Sequence, residues 1–275
     1  MGNICVTSQE PDPDYSAISK SFEEFESTYE LGPPLGYGEF SEVKLASSGS
    51  GQVAVKCIQL SKIRNSLHLL KREIGIMLKL RHRGVIELYS VYENMDFVYI
   101  TMELCSDGNL KQRVKKAGKL SESVMKGITV KLLEALVYLH SKHVCHRDIK
   151  PENILFKGDE PKLADFGLAR MMNGTSNFSM VGTPYYLAPE VISGDYNMKC
   201  DVWSLGVVVY FAVSGKKPFE GKDREELFDH IQDNEIMWEG IQDDCQDFLR
   251  YLLRKDHRIR PTASEALSHK WLSEG

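Results

Sequence analysis

The feature that most restricts the fold of this chain is a change of hydrophobic period near residue 105. Before it, apolar residues sit mostly in short alternating runs: Val43-Lys44-Leu45-Ala46, Val53-Ala54-Val55-Lys56, Val85 to Tyr92 and Phe97 to Glu103. Alternation at period two marks strands with one buried face. One interruption, Lys62 to Leu80, repeats Leu67, Leu70, Ile74 and Met77 near 3.6 and predicts a helix. After the polar turn Ser106-Asp107-Gly108-Asn109, the period is helical almost throughout. Leu110–Lys116, Ser121–Lys142, Cys200–Tyr210, Arg224–Gln232, Asp244–Leu253 and Thr262–Leu267 are the expected helices. The second carries Ile128, Leu132, Ala135, Leu136 and Leu139 on one face, and the third is apolar nearly all round. Thr262 with Glu265 three residues on reads as a capping box. The expected class is α+β: a small, mostly β lobe with one helix over 29–103, and a larger helical lobe over 107–272.

At 275 residues the chain can fill two such cores. A net charge of -5 argues against a nucleic-acid partner held by bulk electrostatics. Six cysteines are scattered, with no C-x-x-C pair, so neither a zinc site nor a disulfide framework is expected and a reduced, cytoplasmic setting is the default. No apolar run is long enough for a membrane span, and no secretory signal is present.

Residues 1–28, with Pro11, Pro13 and many polar side chains, are expected to form a disordered tail. The start Met1-Gly2-Asn3-Ile4-Cys5-Val6-Thr7 invites acylation, by myristate on Gly2 and palmitate on Cys5, although Val6 stands where the usual motif has Ser or Thr. Such a tail would attach the chain to a membrane. The competing expectation is an unmodified solvated tail, since through residue 30 Lys20 is the one basic residue against seven acids.

The chemistry concentrates in Val144-Cys145-His146-Arg147-Asp148-Ile149-Lys150-Pro151-Glu152-Asn153, followed by Asp165-Phe166-Gly167. A carboxylate beside a lysine and an asparagine, with a second carboxylate downstream, suits phosphoryl transfer: one acid orients a hydroxyl, while amide and second acid hold Mg²⁺. Read alone, the cluster is equally a polar surface turn. Upstream, Gly36-x-Gly38 and Lys56 are each weak signals, since a hairpin tip often carries two glycines and a strand lysine is often solvated. Glu73, within the first helix, is by itself an ordinary surface acid.

Their order is the strong signal. Glycine loop, Val53-Ala54-Val55-Lys56, Glu73, His146-Arg147-Asp148, Asp165-Phe166-Gly167 and Ala188-Pro189-Glu190 follow one another at domain-wide spacing. From about residue 29 to Trp271 the chain resembles eukaryotic protein kinases of the Ser/Thr type, and most of all the calcium/calmodulin-dependent kinase group. Asp201-Val202-Trp203-Ser204-Leu205-Gly206, Ser214 to Phe219 and Ala266 to Trp271 carry that closer likeness. The Met-Gly-Asn start resembles calcium-dependent kinases of plants and protists, but no D-x-[DN]-x-[DN]-G loop is present, so direct calcium control is not implied.

The resemblance implies a bilobal kinase fold, ATP and Mg²⁺ as cofactors, and protein substrates for a monomeric enzyme. It makes Asp148 the catalytic base, Lys150 the group that steadies the transferring phosphoryl, and Asn153 and Asp165 the metal ligands. Leu35, Gly36, Gly38, Val43, Ala54, Lys56, Glu73, Glu103, Cys105 and Asn109 become the nucleotide-binding set. Two positions depart from the pattern: Ser41 replaces its third glycine and Asn109 an acid that often holds ribose. Glu152 becomes a reader of basic residues in the substrate, and Thr183 a contact in substrate docking. Arg147 is implied to pair with a phosphate on Ser179, added by an upstream kinase or by autophosphorylation. The alternative is a pseudokinase or membrane-tethered scaffold; Lys56, Asp148, Asn153 and Asp165, all present, weigh against it.

Overall fold

The computed structural model describes residues 19–38, 41–172, 176–177 and 180–273. These fall into two compact units, one comprising the described residues through Lys79 with Leu88–Met102, the other Leu80–Glu87 with the described residues from Glu103 onward.

The first unit contains β1 (Ser19–Ser21), α1 (Phe22–Thr28), β2 (Glu30–Tyr37), β3 (Ser41–Ser48), β4 (Gly51–Gln59), α2 (Leu67–Met77), β5 (Leu88–Glu93) and β6 (Phe97–Met102). The six strands form one sheet in the order β1-β5-β6-β4-β3-β2, antiparallel except for the β1–β5 pair. Period two in β4 sends Val53, Val55 and Cys57 into a core with Phe25, Ala46, Tyr92 and Tyr99. The helix expected from Lys62 is shorter. Two 3₁₀ turns, Leu60–Lys62 and Arg64–Ser66, precede α2.

Residues 19–28 are not a disordered tail. Ser19, Lys20 and Ser21 pair with Val91, Tyr92 and Glu93. Ser21 caps α1 by accepting from the Glu24 N–H, and Glu23 and Glu24 stand in the first turn, where their charge suits the helix dipole. Phe22, Phe25 and Tyr29, spaced three and four apart, pack on Tyr92 edge-on and on Tyr99 face to face at centroid distances of 4.8–6.1 Å. The burial of these rings orders a segment whose acidic composition hides them. Gly2 and Cys5 lie outside the described residues.

The second unit contains α3 (Leu110–Ala117), α4 (Glu122–Ser141), β7 (Val144–Cys145), β8 (Ile154–Lys157), β9 (Glu160–Leu163), β10 (Arg170–Met171), β11 (Ser176–Asn177), α5 (Pro189–Ser193), β12 (Asp195–Tyr196), α6 (Lys199–Ser214), α7 (Arg224–Asp233), α8 (Asp243–Leu252), α9 (Ala263–Leu267) and α10 (Lys270–Ser273). Its core is α6, buried on every side, with Trp203 stacked on Phe219, and the Met125–Leu139 stripe of α4. The expected Thr262–Glu265 capping box starts α9. Leu80–Glu87 belongs to this unit and not to the strand-rich one. Gly84 accepts from the Leu163 N–H, and Ile86 donates to the Leu163 carbonyl, both at 2.9 Å.

Candidate active site

In the first unit, register lines up the phosphate-site candidates. Gly36 pairs with Val43, Val43 with Lys56 and Lys56 with Ile100, so one cross-strand row spans β2, β3, β4 and β6. Ala54 is two residues from Lys56 and shares its face. The Lys56 Nζ donates to Glu73 Oε1 at 2.6 Å, and Glu73 is buried. The exposed acid of the simplest reading is therefore the buried partner of a strand lysine. At the β2–β3 turn the Gly38 N–H donates to the Ser41 carbonyl at 2.8 Å. A Cβ on Gly38 would stand 2.8 Å from Ser41 Oγ, so a larger residue there requires the serine that departs from the glycine pattern to turn its side chain away. Leu35 is half exposed on β2.

In the second unit, β7 and α4 deliver the chain to the catalytic loop, and α6 anchors it. Asp201, fully buried, accepts the backbone N–H groups of His146 and Arg147 at 2.9 Å each and contacts His140 Nε2 at 3.0 Å. Burial opposes charge on Asp201, but the His140 contact and these donors outweigh it and hold the carboxyl below its usual range. The anchor secures a backbone that bends into the left-handed region at Arg147, with φ 67°.

Asp148, buried at 7% exposure, accepts on both oxygens. Lys150 Nζ and Asn153 Nδ2 donate to Oδ2 at 2.6 and 2.9 Å, and Thr183 Oγ1 donates to Oδ1 at 2.9 Å. Lys150 also reaches Thr183 Oγ1 at 3.1 Å. Thr183 is thus part of the carboxylate's own shell. Gly182 makes that approach feasible, since its φ is 118° and a Cβ there would lie 2.8 Å from the Arg147 carbonyl.

The β8–β9 hairpin brings the two metal-ligand candidates to one end. Ile154 pairs with Leu163, and the Ala164 N–H donates to the Asn153 carbonyl at 2.9 Å. Asn153 spends its amide nitrogen on Asp148, which leaves its side-chain oxygen as a donor atom for a metal. Asp165 is exposed, with φ 63°. It is followed by Phe166, fully buried 4.8 Å from the His146 ring. Two hard oxygen donors on one hairpin end fit Mg²⁺.

Around this centre, Glu103 is buried between Lys157 and Lys162, at 3.1 and 2.9 Å. The Cys105 thiol is pushed up to about 11 by burial and then by the Glu103 charge. Asn109 proves to be the N-cap of α3, in a capping box with Gln112. Glu152 accepts from Lys111 at 2.6 Å. Arg147 is buried; its Nε donates to the Leu168 carbonyl at 2.7 Å and its Nη1 to the Tyr196 hydroxyl at 2.8 Å. Ser179 lies outside the described residues.

Sequence reading missed Asp201, Tyr196, the Lys111–Glu152 pair and the buried Glu190–Arg260 pair. An acid in a helix apolar on all sides was the available sign for Asp201, since a buried charge needs partners. Among the described residues Cys145, Cys200 and Asp201 cluster closely enough to suggest metal ligation. Both Asp201 oxygens already serve the catalytic loop, and the two sulfurs contact each other at 3.5 Å, so the cluster is a structural anchor.

The protein kinase domain family matches residues 29–272. The chain belongs to the protein kinase family. This kinase is 37% identical to calcium-dependent protein kinase 5 of Plasmodium falciparum, over 92% of the chain and 46% of that protein. It is 36% identical to CDPK-related kinase 4 of Arabidopsis thaliana, over 91% of the chain and 45% of the relative. It is 35% identical to calcium/calmodulin-dependent protein kinase type 1B of Rattus norvegicus, over 93% of the chain and 78% of the relative. The kinase spans about half the length of the first two, and its catalytic domain is similar to that of the calcium/calmodulin-dependent group. No helix among its described residues is long and apolar enough to cross a membrane.

Proposed function

We propose that this chain transfers the γ-phosphoryl group of ATP to serine or threonine hydroxyls of protein substrates. The observation that carries the reading is the shell of Asp148: a buried carboxylate that accepts from Lys150, Asn153 and Thr183 at 2.6–2.9 Å. In this reading an incoming hydroxyl takes the place of one of those donors and Asp148 accepts its proton. Lys150, 2.6 Å away, then faces the phosphoryl group being transferred and balances charge that develops on it. Lys56, held by Glu73, orients the nucleotide phosphates. Leu35, Gly36, Gly38, Val43 and Ala54, together with the backbone of Glu103 and Cys105, complete the nucleotide set. Asn109 can still offer its amide nitrogen to ribose while its oxygen caps α3.

Asn153 and Asp165 would hold Mg²⁺, which when bound neutralises phosphate charge. Glu152 favours basic substrate sequences. Arg147 is where control by phosphorylation enters. Its side-chain bonds to described residues both end on neutral oxygens, so a phosphate on Ser179 would supply the buried guanidinium with a counter-charge. Acylation at Gly2 and Cys5 would add membrane attachment to an otherwise cytoplasmic, monomeric enzyme.

The test is transfer of ³²P from labelled ATP to an arginine-containing peptide. Asp148→Asn and Asp165→Asn should each lower kcat by at least about a hundredfold, the scale of general-base and electrostatic terms. Full activity in either variant would overturn the assignment.

A further inference from the structure

Glu152 sits in the 3₁₀ turn Pro151–Asn153, two residues beyond Lys150. Its two carboxylate oxygens are in different states. Oε1 accepts from Lys111 Nζ at 2.6 Å. Oε2 is shielded from solvent and has no hydrogen-bond partner among the described residues. An ammonium is a point donor and fills one oxygen. A guanidinium is a planar fork whose two parallel N–H groups fill both. The carboxylate is therefore half satisfied, and what would complete it is the geometry of an arginine.

Lys111 is placed so that it can be displaced. It is the second residue of α3, where the helix dipole opposes a positive charge. Its side chain is 58% exposed, so water and salt screen the pair. The Glu152 charge also reaches the turn Pro184–Tyr186: after burial, it is what raises the Tyr186 phenol. That turn directly follows Thr183, which bonds Asp148, so Glu152 faces the same loop as the catalytic carboxylate.

We propose that Lys111 sets substrate specificity by occupying, on Glu152, the place of a substrate cation, so that arginine displaces it and lysine does so poorly. This rests on the protein kinase reading above. It adds to that reading a residue that competes with the substrate from within the chain. Removing the competitor should tighten arginine recognition, and strengthening it should loosen recognition.

The experiment uses the full chain and serine peptides in which one arginine is walked through the positions before the acceptor. Lysine and citrulline versions serve as controls. At the position Glu152 reads, arginine should exceed lysine in kcat/KM by roughly tenfold. Lys111→Met should raise the arginine-to-citrulline ratio about threefold, through KM. Lys111→Arg should lower it, because an internal fork would fill both oxygens. Glu152→Gln should bring the ratio near one. A purely structural role for Lys111 predicts that Met and Arg at 111 shift the ratio together or leave it alone, and either result overturns the proposal. Fluorescence anisotropy with labelled alanine-for-serine peptides reads the same ratios as binding. Total absence of phosphorylation would thus sink the kinase reading, while the anisotropy ratios would still decide the role of Lys111.

Discussion

At the scale of single residues, protonation states divide the thiols from the catalytic machinery. All five described cysteines are shifted toward the protonated form. Cys105 is the least buried of them, yet its thiol lies at about 11 because burial and then the Glu103 charge penalise the thiolate. At neutral pH the thiolate fraction is on the order of one in a thousand or less. Alkylation of Cys105 by iodoacetamide, followed by mass spectrometry, should at pH 7.5 run about tenfold or more slower than that of a free thiol. It should climb with pH up to about 10. A rate equal to that of glutathione would show that the Cys105 thiol is not held in its buried place beside Glu103.

At the scale of elements, the strand lysine and helix glutamate were each ambiguous within their own segments and became legible only through the order of the motifs along the chain. Register then explains why they meet: β4 carries Lys56 opposite Val43, and α2 carries Glu73 to it at 2.6 Å. Helix α1 was not legible, although Phe22, Phe25 and Tyr29 have helical spacing. Four acids among the eight residues from Glu23 to Glu30 read as solvated tail, and the rings' partners, Tyr92 and Tyr99, lie about seventy residues away. Because Phe25 is 1% exposed, Phe25→Ala should cost about 3–5 kcal/mol, measured by chemical denaturation. A loss below about 1 kcal/mol would mean that α1 only rests on the sheet. Asn109 illustrates the opposite failure: assigned by resemblance to a ligand, it also has a local task as a helix cap, a task whose sequence sign, the Asn-x-x-Gln spacing, was passed over.

At the scale of the whole chain, the catalytic cluster was readable because its ten positions fall in order with the other motifs. Its supports were not, because they come from far along the sequence. Asp201 is 55 residues from His146, and Arg260 is 70 from Glu190. Such long-range anchors make stability depend on pH in a defined direction. The Asp201 carboxyl titrates lower in the folded chain than its ordinary 3.8, so the unfolded chain takes up the proton first. The stabilisation is full above the ordinary value and disappears as pH falls through the folded one. Asp201→Asn should therefore cost about 2–4 kcal/mol at pH 7, in the range of buried charged hydrogen bonds. The gap between variant and wild type should narrow below about pH 4 in a pH series of urea melts. A gap that stays constant into acid would assign the cost to geometry alone and not to charge.

The three-residue strand β1 has one more consequence. In the order β1-β5-β6-β4-β3-β2, the strand it covers would otherwise end the sheet with an open row of amides and carbonyls. Tyr89, Val91 and Glu93 lie on that strand, which has the β-branched and aromatic character that recruits a further strand from another molecule. Ser19, Lys20 and Ser21 occupy the row in parallel register, two hydroxyls and a charge in place of a sticky margin. The segment expected to be disordered thus covers a sheet edge, and trimming it should expose an aggregation seam before it disturbs any catalytic group.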